Sequence, residues 1–174
     1  RWSKWWRMTL EQLWNGWRAQ YIASAQTGTS RVGAYVFTQI LKSGLSDVDS
    51  NIVHRGEKVF AILNAFPYST GHVLVLPYRE VSDLEDLDAA ESVELWATVT
   101  QSVRAIKVSH QPHAVNVGIN LGTAAGGSIS EHLHVHVVPR WNGDSNFMTS
   151  VANTRTLPEP LADTAHKIRA AWSD

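Results

Sequence analysis

Between Glu131 and Arg140 the chain alternates at every second position: Leu133, Val135 and Val137 are aliphatic, and His132, His134 and His136 fall between them. Period two is the signature of a β-strand, whose successive side chains point to opposite faces, so the spacing predicts one aliphatic face and one face of imidazoles. Residues 115–121 (VNVGINL) repeat this parity, with aliphatic odd positions and small or polar even ones. Paired antiparallel with the histidine strand and turned the same way, they place Asn116, Gly118 and Asn120 beside the histidines. Residues 57–64 and 72–78 are rich in Val, Ile, Leu and Phe and predict two further strands, joined through 65–71 with Pro67 and Gly71 as a broad hairpin. Residues 32–41 form a short apolar piece and 43–51 a turn-rich one.

The helical period appears in three places. Leu95, Trp96, Val99, Val103 and Ile106 fall at three- and four-residue spacing after a capping box at Asp88 and Glu91, and Pro112 follows the expected stop. Ser82 and Glu85 give a similar signal for a short turn. At the N-terminus Trp2, Trp6, Leu10, Leu13, Trp17 and Tyr21 mark a wide apolar stripe, and 23–31 read as a small, polar linker. That helix packs on its own core or on a second subunit, or, with Arg1, Lys4, Arg7 and Arg18, lies on a membrane surface. After Pro158 and Pro160, Leu161, Ala165, Ile168 and Trp172 repeat the helical period. The expected fold is α+β: an antiparallel sheet of about five strands, a main helix on one face, the histidine face open, and helical extensions at both ends. The expected divisions are 1–31, 32–142 and 143–174.

Composition narrows the partners. At 174 residues, 44% hydrophobic and 18% charged, the chain is of ordinary globular make-up. A formal net charge of -1 gives no general attraction to nucleic acid or anionic membrane, so an anionic ligand needs a local site. Cysteine is absent, which excludes disulfides, thiolate metal sites and a cysteine nucleophile. No apolar run approaches the ~18 residues of a membrane span, and a soluble cytoplasmic protein is expected.

Three imidazoles on one sheet face have two chemical uses. They bind a metal, or they surround an anion with one of them as nucleophile. Residues 122–130 (GTAAGGSIS) run from strand to strand and match neither common nucleotide-loop pattern. Gly126 and Gly127 let backbone N–H groups approach a phosphate, and Ser128 adds a hydroxyl donor. A plain hairpin loop is the competing reading, and the neighbouring histidines and Asn120 favour the anion cradle.

At this point the residues resemble the histidine triad family, whose pattern is His-φ-His-φ-His-φ-φ with φ apolar. The likeness extends over residues 35–140: residues 63–79 look like the family's ribose-binding hairpin, and residues 120–127 look like its phosphate loop. The continuation 141–147 (WNGDSNF), with Leu13, Trp14 and Tyr21 upstream, is most similar to the branch of actinobacterial diadenosine tetraphosphate phosphorylases. The resemblance implies that His134 attacks the α-phosphate of a nucleoside polyphosphate and forms a covalent nucleotidyl-histidine. It further implies that His132 and His136 orient His134 and neutralise charge, and that Ser128 with Gly126 and Gly127 holds phosphate oxygens. Asn64 would bind ribose, Asn120 the nucleotide, and Phe37, Ile40, Ile62 and Phe66 would wall the base. The implied partners are an adenine dinucleotide polyphosphate and phosphate, with a homodimer or higher homo-oligomer and no nucleic acid or membrane.

Two departures from the family pattern bear on mechanism. Zinc-containing relatives carry Cys-x-x-Cys where this chain has Tyr35, Val36, Phe37 and Thr38, with further ligands matched to His72 and His132. Two histidines alone make a poor tetrahedral site, so no structural zinc is expected and no tightly bound cofactor, although a divalent cation such as Mg2+ can accompany the substrate. Hydrolytic relatives commonly place glutamine where Ser128 stands. The shorter side chain leaves room for inorganic phosphate as acceptor, giving ADP and ATP from diadenosine tetraphosphate. The alternatives are a hydrolase of dinucleoside polyphosphates or nucleoside phosphoramidates that releases AMP, a metallohydrolase using all three histidines, and a non-catalytic nucleotide-binding module.

Overall fold

The computed structural model describes residues 35–126, 129–144 and 159–173. The expected Trp-rich helix, Gly127, Ser128 and residues 145–158 lie outside them. Within the described residues a five-stranded antiparallel sheet has β1 (Ile52–Arg55), β2 (Val59–Leu63), β3 (Val73–Pro77), β4 (Ala114–Ile119) and β5 (Val135–Arg140), in the order β1-β2-β3-β5-β4. Helix α1 (Val36–Lys42) and the single turn α2 (Asp47–Ser50) precede β1. The long α3 (Ala89–His110) links β3 to β4, and α4 (Leu161–Ala171) ends the described chain. The α+β expectation with a five-stranded sheet and a main helix holds.

β2 and β3 are buried at every position, which explains why both read as continuous apolar runs rather than alternating ones. On one face Val59, Ala61, Val73, Val75, Val135 and Val137 meet Leu95, Val99 and Ile106 of α3. On the other, Phe60, Ile62, Leu74 and Leu76 meet Phe37, with Val36, Ile40 and Leu41 of α1 alongside. The apolar piece before the sheet is therefore a helix that covers the second face. α4 belongs to the first face, where Ala165 and Ile168 are fully buried, and Arg169 donates to the carbonyls of Ile52 and Asp47. The described part of the C-terminal stretch thus supports the sheet from the side opposite the histidines.

The capping box at the start of α3 forms as expected: Asp88 accepts from the Glu91 N–H at 2.7 Å and Glu91 accepts from the Asp88 N–H at 2.9 Å. Gln111 adopts a left-handed conformation at its end, just before Pro112. Trp96 is corrected: it is 46% exposed, because it lies one residue, or about 100°, off the Leu95–Val99–Ile106 stripe. The capping box at Ser82 does not form; Asp83 leads a 3-10 turn, Leu84–Asp86, with no side-chain cap. β1 carries no strand pattern in the sequence, since it is four residues long and His54 interrupts its apolar character. Among the described residues no helix is long and apolar enough to cross a membrane.

Leu95 is fully buried between α3 and the sheet. Leu95→Ala is expected to lower unfolding free energy by about 2–5 kcal/mol in denaturant titration, through lost transfer energy and the cavity left behind.

Candidate active site

The histidine strand starts later than its alternation predicts. β5 begins at Val135, so His132, Leu133 and His134 lead into it unpaired. The register that sets Val73 against Val137 and Val75 against Val135 would bring Leu133 opposite Pro77. Proline has no N–H for the ladder, and the Pro77 carbonyl accepts instead from His132 Nε2 at 2.8 Å. Leu133 N–H donates to Val81 O at 2.6 Å. The three histidines remain close neighbours, with His134 and His136 edge to face at 4.9 Å between ring centroids. His132 is fully buried and packs edge-on against Phe37 at 5.5 Å, behind the other two.

Hydrogen bonds fix the tautomers. His134 Nδ1 lies 2.7 Å from the His132 carbonyl, which can only accept, so Nδ1 carries the proton and Nε2 keeps its lone pair. His72 supplies a second relay. Its Nδ1 accepts from the Tyr68 backbone N–H at 3.1 Å, so its Nε2–H donates to His136 Nδ1 at 3.0 Å. Neutral His136 then carries its proton on Nε2, 3.5 Å from Asn120 Nδ2, so Asn120 accepts that proton only with its amide turned to present Oδ1. Asn64 is oriented by the same ring: its Oδ1 accepts from the Phe66 N–H at 2.9 Å, and its Nδ2 faces His72 Nδ1 at 3.3 Å. Of the two residues matched to zinc ligands, His72 faces His136 through Nε2, and His132 gives Nε2 to Pro77 O while its buried Nδ1 has no hydrogen-bond partner. Among the described residues no group of three His, Asp or Glu side chains is arranged to hold a metal.

Burial is the first cause of the electrostatics. It pushes the pKa of His134 below the ordinary imidazole value, against a smaller upward pull from the hydrogen bond to His132 O. His132 is pushed down in the same way, opposed by its bond to Pro77 O and by the charge of Glu80. Both rings are neutral at neutral pH.

His134 and His136 open into a pocket of about 150 Å³ between the second sheet face and α1. Phe37, Ile40, Ile62 and Phe66 line its apolar part, and Asn64, Asn120 and Gly126 line its polar part. These are the positions expected from sequence, brought together from α1, β2, the hairpin and the loop after β4. His132 lies behind the pocket rather than in it. Leu74, Tyr68 and Ile129 also line it, and His72 completes the relay. Leu74 could have been found from register, since it lies opposite both Ile62 and His136. The pairing across β4 and β5, Asn116 with Val138 and Gly118 with His136, puts the even positions of β4 on the histidine face as expected.

A model of the HIT domain, the histidine triad domain, matches residues 46–143. The chain is 46% identical over 171 residues to a Mycobacterium tuberculosis protein named AP-4-A phosphorylase, an alignment that covers 96% of this chain and 87% of that one. It is 36% identical over 97 residues to the asymmetrical bis(5'-nucleosyl)-tetraphosphatase of Schizosaccharomyces pombe, covering 56% of this chain and 53% of that one. Among solved structures, a zinc-bound histidine triad family protein from Mycobacterium smegmatis superimposes with a TM-score of 0.64 at 29% identity, over 79% of this chain and 91% of that one.

The lowered pKa of His134 has a sign that can be measured. Reaction through its neutral form predicts an acid limb of kcat/KM below the ordinary imidazole value of about 6.5. Burial of neutral His132 and His134 also contributes stability that is complete above the unfolded value and is lost as pH falls through it toward the folded values. Histidine-resolved NMR titration beside a kcat/KM profile checks both.

Proposed function

The chain belongs to the histidine triad family, and from that premise we propose that it transfers a nucleotidyl group from a dinucleoside polyphosphate to inorganic phosphate through nucleotidyl-His134. The observation that carries this reading is the hydrogen bond from His134 Nδ1 to His132 O, which leaves an unprotonated Nε2 in a pocket with an apolar end and an amide-lined end. In this reading adenine lies among Phe37, Ile40, Ile62 and Phe66. Asn64 Oδ1 keeps a second lone pair for a ribose hydroxyl.

In the first step the bond from His134 Nε2 to the α-phosphorus forms and the bridging P–O bond breaks, its electron pair leaving with the polyphosphate. From diadenosine tetraphosphate the product is ATP. The His136 Nε2–H, fixed by the relay through His72, donates toward the oxygen that gains charge. Asn120, the amides of Gly126 and Gly127, and Ser128 hold non-bridging oxygens. In the second step a phosphate oxygen bonds to the same phosphorus, the P–N bond breaks, and ADP leaves with net release of one proton. Charge stabilisation and positioning carry both steps, because the polyphosphate leaving group is a weak base. A divalent cation such as Mg2+, where one accompanies the polyphosphate, would offset part of its charge. The similarity to a protein named for phosphorolysis supports phosphate as acceptor, and the relative named as a tetraphosphatase defines the competing outcome, AMP plus ATP with water.

Incubation of diadenosine tetraphosphate with the protein is expected to give ADP and ATP only when phosphate is present, read by chromatography. His134→Ala is expected to lower turnover at least about 10³-fold while still binding nucleotide. AMP and ATP formed equally with and without phosphate would make the enzyme a hydrolase.

A further inference from the structure

The histidine face carries a second cleft, of about 400 Å³, next to the pocket already described. Tyr68, Asn120 and His136 line both, so a molecule that reaches past His136 from the first cavity enters the second. The new cleft is polar, bordered further by Asn116, Arg140 and Asp144. Its floor is Gly118, which lies directly opposite His136 across β4 and β5. A Cβ at Gly118 would meet nothing within 4 Å, so a larger side chain there would project into the open space beside His136.

Arg140 is the cationic group of this cleft. It lies four residues beyond His136 on the same face of β5, about 13 Å along the strand. Its Nε and Nη2 donate to Asp144 at 2.6 and 2.9 Å, and its Nη1 donates to Asn116 Oδ1 at 3.0 Å. A guanidinium has five N–H groups, so two remain for an anion after those three bonds. Asp144 fixes the fork and also offsets its charge, which makes the seat directional but weak.

From this we infer that the cleft seats the phosphate groups exchanged at the reacting phosphorus: the polyphosphate of the departing nucleotide first, and inorganic phosphate second. The inference rests on the nucleotidyl-His134 reading above. In a double displacement the leaving group and the acceptor both lie across the phosphorus from the histidine, so one seat holds them in turn. It must empty between the two steps. A guanidinium balanced by a carboxylate suits such turnover better than a bare one, which would retain the polyanionic leaving group.

The test compares the wild-type chain with Gly118→Val, which fills the floor, and with the double variant Arg140→Gln/Asp144→Asn, which removes the guanidinium together with the carboxylate that balances it. Two donors are used. Diadenosine tetraphosphate with titrated phosphate reports the seat, and adenosine 5'-phosphoramidate, whose leaving group is ammonia, reports His134 and the adenosine pocket by single-turnover ammonia release. Both variants are expected to raise the KM for phosphate by about tenfold or more and to leave the ammonia-release rate within about threefold of wild type. An unchanged phosphate KM in both variants overturns the inference, as does an equal loss with both donors at an unaltered thermal midpoint. If the wild type forms the same products with and without phosphate, the acceptor reading itself fails, and the inference falls with it before any variant is compared.

Discussion

A buried imidazole in a low-dielectric site has to commit one nitrogen as donor and the other as acceptor, and the arrangement around His134 follows from that constraint. His132, His134 and His136 are 0%, 6% and 9% exposed. Protonated rings at such spacing would repel one another and lose their hydration, and burial keeps His132 and His134 neutral. Each is then fixed by a partner that can act in only one sense: the Pro77 carbonyl for His132, the His132 carbonyl for His134, and the Nε2–H of His72 for His136. Two of these partners are backbone oxygens, and the third ring is set by a backbone N–H at Tyr68. Protonation state is thereby tied to chain path and not to mobile side chains.

This dependence explains why the sheet is covered on both sides. β3 supplies Val73 and Val75 to the core under α3 and Leu74 to the histidine face, so the same strand fixes the depth of His136 and the packing of the main helix. Pro77 at its end stops the ladder and presents the carbonyl that His132 needs. The hairpin between β2 and β3 closes through Asn64 N–H to His72 O at 2.9 Å, which brings Asn64, Tyr68 and His72 to one end of the pocket. Glu94 of α3 reaches across to accept from the Lys58 N–H, tying the helix to the turn before β2. A shift of α3 would therefore be felt at the site through the sheet, without any direct contact with the histidines.

Much of this was legible in the chain because strand parity is a strong signal. The period of two at 115–121 and 132–138 put Asn116, Gly118, Asn120 and His136 on one face, and the observed register agrees. Phe37, Ile40, Ile62 and Phe66 followed from the family resemblance and meet in one pocket. What parity could not show was where the ladder stops, because that depends on Pro77 lying opposite Leu133, a pairing set by register between segments far apart in sequence. It also could not show His72 turned to His136, since a histidine at the start of an apolar run carries no sign of its partner. The short β1 and helix α1 were obscured for another reason: four to seven residues are too few for a period to emerge from local composition.

The same tautomer constraint bears on the choice of acceptor. Water is a poor nucleophile unless a base takes its proton during attack. His136 Nδ1 is occupied by His72, so its Nε2 carries a proton and can donate but not receive. His134 is the bonded leaving group in that step, and His132 lies behind the pocket with its Nε2 on Pro77 O. Asp144, the carboxylate that lines the adjoining cleft, is held in two bonds to Arg140. Inorganic phosphate near neutral pH brings an oxygen that is already deprotonated, and it needs a donor-lined seat more than it needs a base. Among the described residues, neutral hydrogen-bonded imidazoles with a guanidinium fork beside them match that requirement, which supports the proposed phosphate acceptor.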